Sequence, residues 1–281
     1  CRVIKMIKIN FKNNLIDFWG TTVFSIQKKI PIYDILKQAF EQGVLIDNEK
    51  KILSDFIDFI YNLQKKHSSQ IFQDIFVSFV TRDKFEQTFL EFGATNGIEL
   101  SNTFMLEKDL GWSGALAEPD IQWTDSLKKN RPNTKIITKC IWKNSNDKLN
   151  FFSSDNGVLS TLEDFKYSDK ESMPVNSNQR NASGKNIIVE TISLNEVILK
   201  YFDGICPSYI SVDTEGSEFE ILNSFDFSRF KPAVFTVEHN FTKFQQKIDE
   251  LMLKNNYSRI FRKLTSFDAW YISDEALKKL K

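Results

Sequence analysis

Cysteine and histidine are scarce in this 281-residue chain, three of the first and two of the second. Cys1, Cys140 and Cys206 lie far apart, with no CxxC pair and no pairing pattern. That spacing argues against a structural zinc site and a disulfide framework, and it suits a reducing compartment. An excess of charge of one sign is also missing: 37 Lys and Arg balance 37 Asp and Glu. The basic footprint of a nucleic-acid binder or a polybasic membrane protein is absent from these totals, so a neutral, small-molecule-sized or glycan-like partner fits better. No stretch approaches the roughly 18 uninterrupted apolar residues of a membrane span, and the opening CRVIKMIKINFKNN lacks the apolar core of a signal peptide. The expectation is a soluble, cytoplasmic protein. The first residue is Cys1 rather than Met, which leaves a longer parent protein open.

What is abundant is phenylalanine, at 26 residues, and it reads as core filling. Residues 31 to 66 read as helices. Pro31 opens PIYDILKQAF in a first-turn position, and Ile52, Leu53, Phe56, Ile57, Ile60 and Leu63 recur at helical spacing. These helices form an N-terminal extension over 1–68, suited to a lid, an oligomer contact or a link to an attached domain. From residue 69 to 281 the texture changes to one main domain. Apolar runs TFLEF (88–92), GALAE (114–118), KIITKCIW (135–142), SYISVD (208–213) and AVFTVEH (233–239) alternate with helix-like segments near 101–109, 121–130, 193–202, 216–224 and 241–255. This alternation predicts an α/β fold with a mostly parallel sheet covered on both faces, its ligands at the carboxyl ends of the strands. The runs at 257–265 and 266–273 predict a C-terminal antiparallel hairpin at the sheet edge. The polar stretch 153–185 predicts an active-site loop or partial disorder.

The stretch FLEFGATNGIELSNT (89–103) carries the first chemical signal. Gly93 follows the first strand where the chain must turn sharply and let a ligand approach, and Gly97 completes G-x-x-x-G. Thr95 occupies the place of the middle glycine that admits a pyrophosphate in dinucleotide enzymes, which disfavours an NAD-type oxidoreductase. Glu91, a carboxylate near a buried strand's end, needs a partner or a cationic ligand, and the sulfonium-bearing amino acid of S-adenosylmethionine is such a cation. Glu118 ends the second strand, where an acid can accept both ribose hydroxyls. Together these describe a nucleoside site without a phosphate cradle.

At this point SQIFQDIFVSF (69–79), FLEFGATNGIELSNTFMLEKDLGWSGALAEPD (89–120), KKNRPN (128–133), SVDTEGSEFEIL (211–222) and FTVEHN (235–240) resemble the FkbM family of methyltransferases. The resemblance runs from about Ser69 to Ser273. It implies a Rossmann-like class I fold, S-adenosylmethionine as cofactor, and O-methylation of sugars, other glycan components or natural products. It places Glu91, Gly93 and Gly97 at the methionine end, Glu118 at the ribose, and Cys140, Ile141 and Trp142 near the adenine. Ala94, Thr95, Ser101, Asn102, Pro119 and Asp213 complete the expected cofactor contacts. Glu91 and Thr95 depart from the commoner D-x-G-A-N-x-G form and read as a subfamily variant.

Methylating a hydroxyl also needs a proton acceptor. His239, after the fifth strand in VEHN, is the first candidate base, while His67 reads as a surface residue. Asp213 can orient the acceptor, act as base or hold His239 in one tautomer. Glu238 and Glu215 complete the catalytic candidates, and Glu218 reads as a helix-capping residue. Asp213, Glu215, Glu238 and His239 also form an option for a hard divalent cation, but no short ligand spacing requires a metal and none is expected. The resulting expectation is an O-methyltransferase of a sugar, glycan or nucleotide-sugar precursor, with polysaccharide biosynthesis as its setting. Competing readings are a non-catalytic module that retains the fold and a methyltransferase of a non-carbohydrate natural product.

Overall fold

Five strand segments anticipated from apolar runs form the backbone of a seven-stranded sheet. A computed structural model describes residues 49–63, 67–82, 85–262 and 264–280; the helices expected between 31 and 48 lie outside the described residues. The strands are β1 (Thr88–Phe92), β2 (Ser113–Ala117), β3 (Lys135–Ile137), β8 (Tyr209–Val212), β9 (Val234–Glu238), β10 (Tyr257–Ile260) and β11 (Asp268–Ser273). They lie in the order β10-β11-β9-β8-β1-β2-β3, and only β11 runs antiparallel to its neighbours. β1 sits at the reversal of strand order, with Glu91 opposite Leu116 of β2 on one side and Ser211 of β8 on the other. Doubly wound sheets bind ligands at such a switch point.

β1, β8 and β9 are almost wholly buried, as continuous apolar strands between two helical layers must be. Their side chains alternate between two cores, with Phe89 in one and Leu90 in the other. The first core is covered by α1 (Lys50–Leu63), α2 (Gln73–Thr81), α3 (Phe104–Leu110) and α4 (Thr124–Asn130). α1 buries Ile52, Leu53, Phe56, Ile57 and Ile60, one face of its helical repeat. Phe56 lies 5.2 Å from the Phe79 ring and 5.8 Å from that of Phe261, while Phe76 stacks on Trp270 at 4.5 Å. The described part of the N-terminal extension therefore shares a core with the C-terminal strands. His67, expected at the surface, is half-buried with its ring 4.3 Å from that of Phe72.

Two expectations are corrected. KIITKCIW is not one strand: β3 stays in the main sheet, whereas β4 (Cys140–Trp142) pairs with β7 (Gly184–Ser193) in a second sheet of order β4-β7-β5-β6. There β5 (Lys148–Ser154) runs antiparallel to β7 along its length and β6 (Thr161–Leu162) closes the edge. The polar stretch 153–185 is built into this sheet and into α5 (Pro174–Ala182), which has Pro174 in its first turn. The C-terminal hairpin forms at the sheet edge as expected, with β11 beside β9 and β10 outermost. The second core is covered by α6 (Leu194–Tyr201), α7 (Glu218–Asn223) and α8 (Gln245–Lys254); α9 (Asp274–Leu280) ends the described chain against the first. Among the described residues no helix is long and apolar enough to cross a membrane.

Candidate active site

Acidic side chains stand at the carboxyl ends of four neighbouring parallel strands: Glu91 in β1, Glu118 after β2, Asp213 after β8 and Glu238 in β9. Gly93 adopts a left-handed φ of +69°, and a Cβ there would run into the carbonyl oxygen of Asp213. The backbone of the next strand, as well as any ligand, therefore requires glycine. Gly97, at φ +78°, faces α4, where a Cβ would lie 2.6 Å from Leu127 Cδ1 and 2.8 Å from Arg131 Cγ.

Glu91 is buried and accepts hydrogen bonds from Ser101 Oγ at 2.9 Å, the Asn102 N–H at 2.7 Å and the Thr103 hydroxyl. Burial raises its carboxyl pKa, and Arg131 opposes the rise. Arg131, fully buried, donates to the Gly97 carbonyl at 3.0 Å and Thr103 Oγ1 at 3.1 Å, and pairs with Glu107. The partner that Glu91 needs is thus supplied largely by protein donors, and the carboxylate holds the 93–103 turn in shape. Arg131 goes unnoticed in the sequence because an arginine at the end of a short helix reads as solvated.

Glu118 is also buried. It accepts the N–H groups of Thr95 at 2.9 Å and Asp120 at 2.8 Å. Desolvation pushes its carboxyl up to about 7 despite those two bonds. An ionised carboxylate offers about four lone-pair positions, so roughly half remain for a ligand. Asp120, which sequence reasoning passed over, accepts Ser153 Oγ at 3.1 Å and Ser160 Oγ at 2.9 Å. Those bonds fasten the second sheet beside Glu118.

Asp213, Glu215 and Glu238 bring oxygens within 4.8 Å of one another, close enough to share a divalent cation. At that separation the Asp213 and Glu238 carboxyls disfavour each other's ionisation. Burial first, and neighbouring negative charge second, hold both well above the ordinary carboxylate range. Glu215, at φ +58°, accepts from Arg180 Nη2 at 2.5 Å; burial lifts it to about 7 against that cation's pull. Arg180 is fully buried, bonds both oxygens of Asp169 at 2.7 and 3.0 Å, and donates to the Leu159 carbonyl at 2.8 Å. It ties α5 and the β5–β6 connection to the loop after β8. Glu218 accepts the N–H groups of Thr214 at 3.0 Å and Gly216 at 2.9 Å, in keeping with a local capping role.

His239 is placed otherwise than expected. Its Nδ1 accepts the Phe241 N–H at 3.0 Å, and its Nε2 lies 3.0 Å from Arg259 Nη2. Burial and that guanidinium lower its pKa to about 3. Both ring nitrogens are engaged by Phe241 and Arg259, and neither lines the cavity at the strand ends.

These strand ends floor a cavity of about 360 Å³, within the roughly 300–1,000 Å³ typical of small-molecule sites. Glu91, Gly93, Ala94, Thr95, Ser101 and Asn102 line it from the first turn; Glu118 and Pro119 from the end of β2; Cys140 and Ile141 from β4; Asp213, Glu215 and Glu238 from the far side. Gly97, Trp142 and His239 are not in its wall. Trp142 packs edge-on to Phe165 in the second core. Asn156, Met173, Asn176 and Gln179 close the cavity from the 153–185 segment.

Solved structures similar to this chain include a methyltransferase FkbM from Methylobacillus flagellatus KT, 13% identical with a TM-score of 0.43 over 89% of this chain and 60% of that one. A precorrin-6y C5,15-methyltransferase from Geobacter metallireducens GS-15 is 10% identical, with a TM-score of 0.38 over 74% of this chain and 88% of its own. A ribosomal protein L11 methylase from Lactobacillus delbrueckii subsp. bulgaricus is 8% identical, with a TM-score of 0.35 over 71% and 74% respectively. The chain thus spans about 60% of the length of the FkbM structure. No curated protein matches it. The sequence model of the methyltransferase FkbM domain matches residues 91–266, a range that opens on Glu91 and takes in the whole floor of the cavity. Since that range is more than half of the 281 residues, the chain belongs to the FkbM methyltransferase family, and its mixed α/β architecture is the Rossmann-like class I fold.

Proposed function

We propose that this protein is an S-adenosylmethionine-dependent O-methyltransferase acting on a hydroxyl of a sugar, glycan or nucleotide-sugar precursor. The observation that carries the reading is Glu118, held by two backbone N–H groups beside the Gly93 turn with unused lone pairs at the cavity. Those lone pairs suit the two ribose hydroxyls of a nucleoside. A second feature fits the amino-acid end of the same molecule: Asn102 Oδ1 is buried beside Glu91 without a hydrogen-bond partner. An ammonium donor would satisfy it. Cys140 and Ile141 offer an apolar wall for the base. When bound, the cofactor supplies an electrophilic methyl group on a sulfonium.

The acceptor's proton is taken by the Asp213–Glu238 pair. A carboxylate whose pKa is raised is a stronger base than an ordinary one, and neighbouring carboxyls raise each other's pKa. Glu215, neutralised by Arg180, positions the loop that carries Asp213. Exclusion of water by the 153–185 segment strengthens each of these interactions.

The test is label transfer from S-adenosylmethionine to a panel of sugars, with Glu238→Gln and His239→Gln in parallel. We expect Glu238→Gln to reduce turnover by about 10²- to 10⁴-fold, the usual contribution of a general base, with cofactor affinity near wild type. His239→Gln should leave turnover within a few-fold. Equal turnover of wild type and Glu238→Gln would remove the pair from the mechanism.

A further inference from the structure

The wall of the cavity has an unusual charge balance. Among the described residues that line it there are six acidic side chains, Glu91, Glu99, Glu118, Asp213, Glu215 and Glu238, and no lysine, arginine or histidine. The whole chain is neutral, so this is a local separation of charge and not a reflection of composition. The two buried guanidiniums nearest the floor are already committed: Arg131 to Glu107, and Arg180 to Asp169 and Glu215. Neither is among the lining residues.

The polar side chains of the wall that are not acidic are six carboxamides and five Ser or Thr hydroxyls. Gln70 and Phe267 line a small recess with Asp213 and Glu238, Asn240 donates to Glu215 at 3.5 Å, and Asn156, Asn176 and Gln179 line the cavity from the 153–185 segment. Asn176 and Gln179 are three residues apart on α5, hence on one helix face. Each carboxamide both donates and accepts, which matches the hydroxyl groups of a polyol, and the Phe267 and Met173 side chains offer apolar contact to the C–H face of a ring. A phosphate or diphosphate calls for arginine or lysine, and neither lines this cavity among the described residues.

Building on the reading of this site as a sugar O-methyltransferase, we infer that its acceptor is an uncharged, unphosphorylated polyhydroxyl compound, a free or lipid- or protein-borne neutral glycan, and that nucleotide sugars and sugar phosphates are excluded. A phosphate in this cavity meets acidic side chains and, among the described residues of the wall, no lysine, arginine or histidine, so its charge goes unpaired in a low-dielectric surround. The amides then carry the selection for hydroxyls.

The test uses the full chain with labelled S-adenosylmethionine. Matched acceptors are compared at equal concentration: a neutral oligosaccharide, its phosphate monoester, its amino-sugar counterpart and the corresponding nucleotide sugar. Cofactor binding is followed in the same preparation by titration. The expected result is methylation of the neutral member with at least about 100-fold higher kcat/KM than either phosphorylated one. Equal or better use of a phosphorylated acceptor, or preference for the amino sugar, overturns the inference while leaving methyl transfer intact. Cofactor binding without methylation of any member refutes the sugar reading and the inference with it. Absence of cofactor binding refutes the methyltransferase reading itself.

Discussion

Near neutral pH the Glu118 carboxyl lies at the middle of its titration, because burial has lifted it to about 7. Ribose hydroxyls would donate to the ionised form, so cofactor binding favours loss of that proton. The sign follows: affinity rises with pH through the raised pKa and levels off above it. Between pH 6 and 8 the expected gain is about tenfold, set by the fraction ionised before binding. Glu118→Gln should flatten that dependence and weaken binding at pH 8, as read by calorimetric titration at several pH values. A wild-type affinity that does not change over this range would show that Glu118 does not meet the ribose. The same buried position explains why the sequence identifies Glu118 so readily. An acid at the end of an apolar run has few structural excuses. Glu91 shares that signature, yet its neighbours Ser101, Asn102 and Thr103 meet its needs. A sequence cannot show which of two buried acids is satisfied from within, since the donors come from a turn whose path is set by Arg131, some thirty residues further on.

Among the elements, the β1–turn–α3 unit makes the sharpest structural demand. Gly93 and Gly111 both have left-handed φ, +69° and +75°, but only Gly93 has backbone in the way of a Cβ. Gly111→Ala therefore carries the conformational cost alone, about 1–2 kcal/mol. Gly93→Ala adds displacement of β1 from β8 and should cost clearly more, as measured by urea denaturation of the two variants. Equal losses would mean that the approach of Gly93 to the Asp213 carbonyl is not tight in solution. The second sheet is the element least legible in the sequence. β5 carries the pattern KLNFFSS and β7 GKNIIVETIS, both with mixed polarity because each is only partly covered. Such strands lack the continuous apolar run that marks β1, β8 and β9. The connection between them, polar enough to suggest a loop, is ordered by Arg180 through Asp169, Glu215 and the Leu159 carbonyl. One buried arginine thereby converts a stretch of Ser, Asn and Asp into a wall of the cavity.

On the scale of the whole molecule, strand order is what brings the four acids to one edge. The alternation of strands and helices makes the parallel sheet and its carboxyl edge legible, and Glu118, Asp213 and Glu238 stand there as the alternation implies. His239 marks the limit of that reasoning. It follows a strand that points at the cavity, but the turn through Asn240 and Phe241, both left-handed, carries the imidazole back toward Arg259 on β10. A hairpin drawn as an edge pair does not reveal that β11 lies inside β10, nor that Arg259 faces the histidine. The central claim is that this edge is a nucleoside site built without a phosphate cradle. Calorimetric titration of the full chain with S-adenosylmethionine and, separately, with NAD tests it most directly. The account predicts one-to-one binding of S-adenosylmethionine and no heat from NAD; heat from NAD, or silence from both, would contradict it.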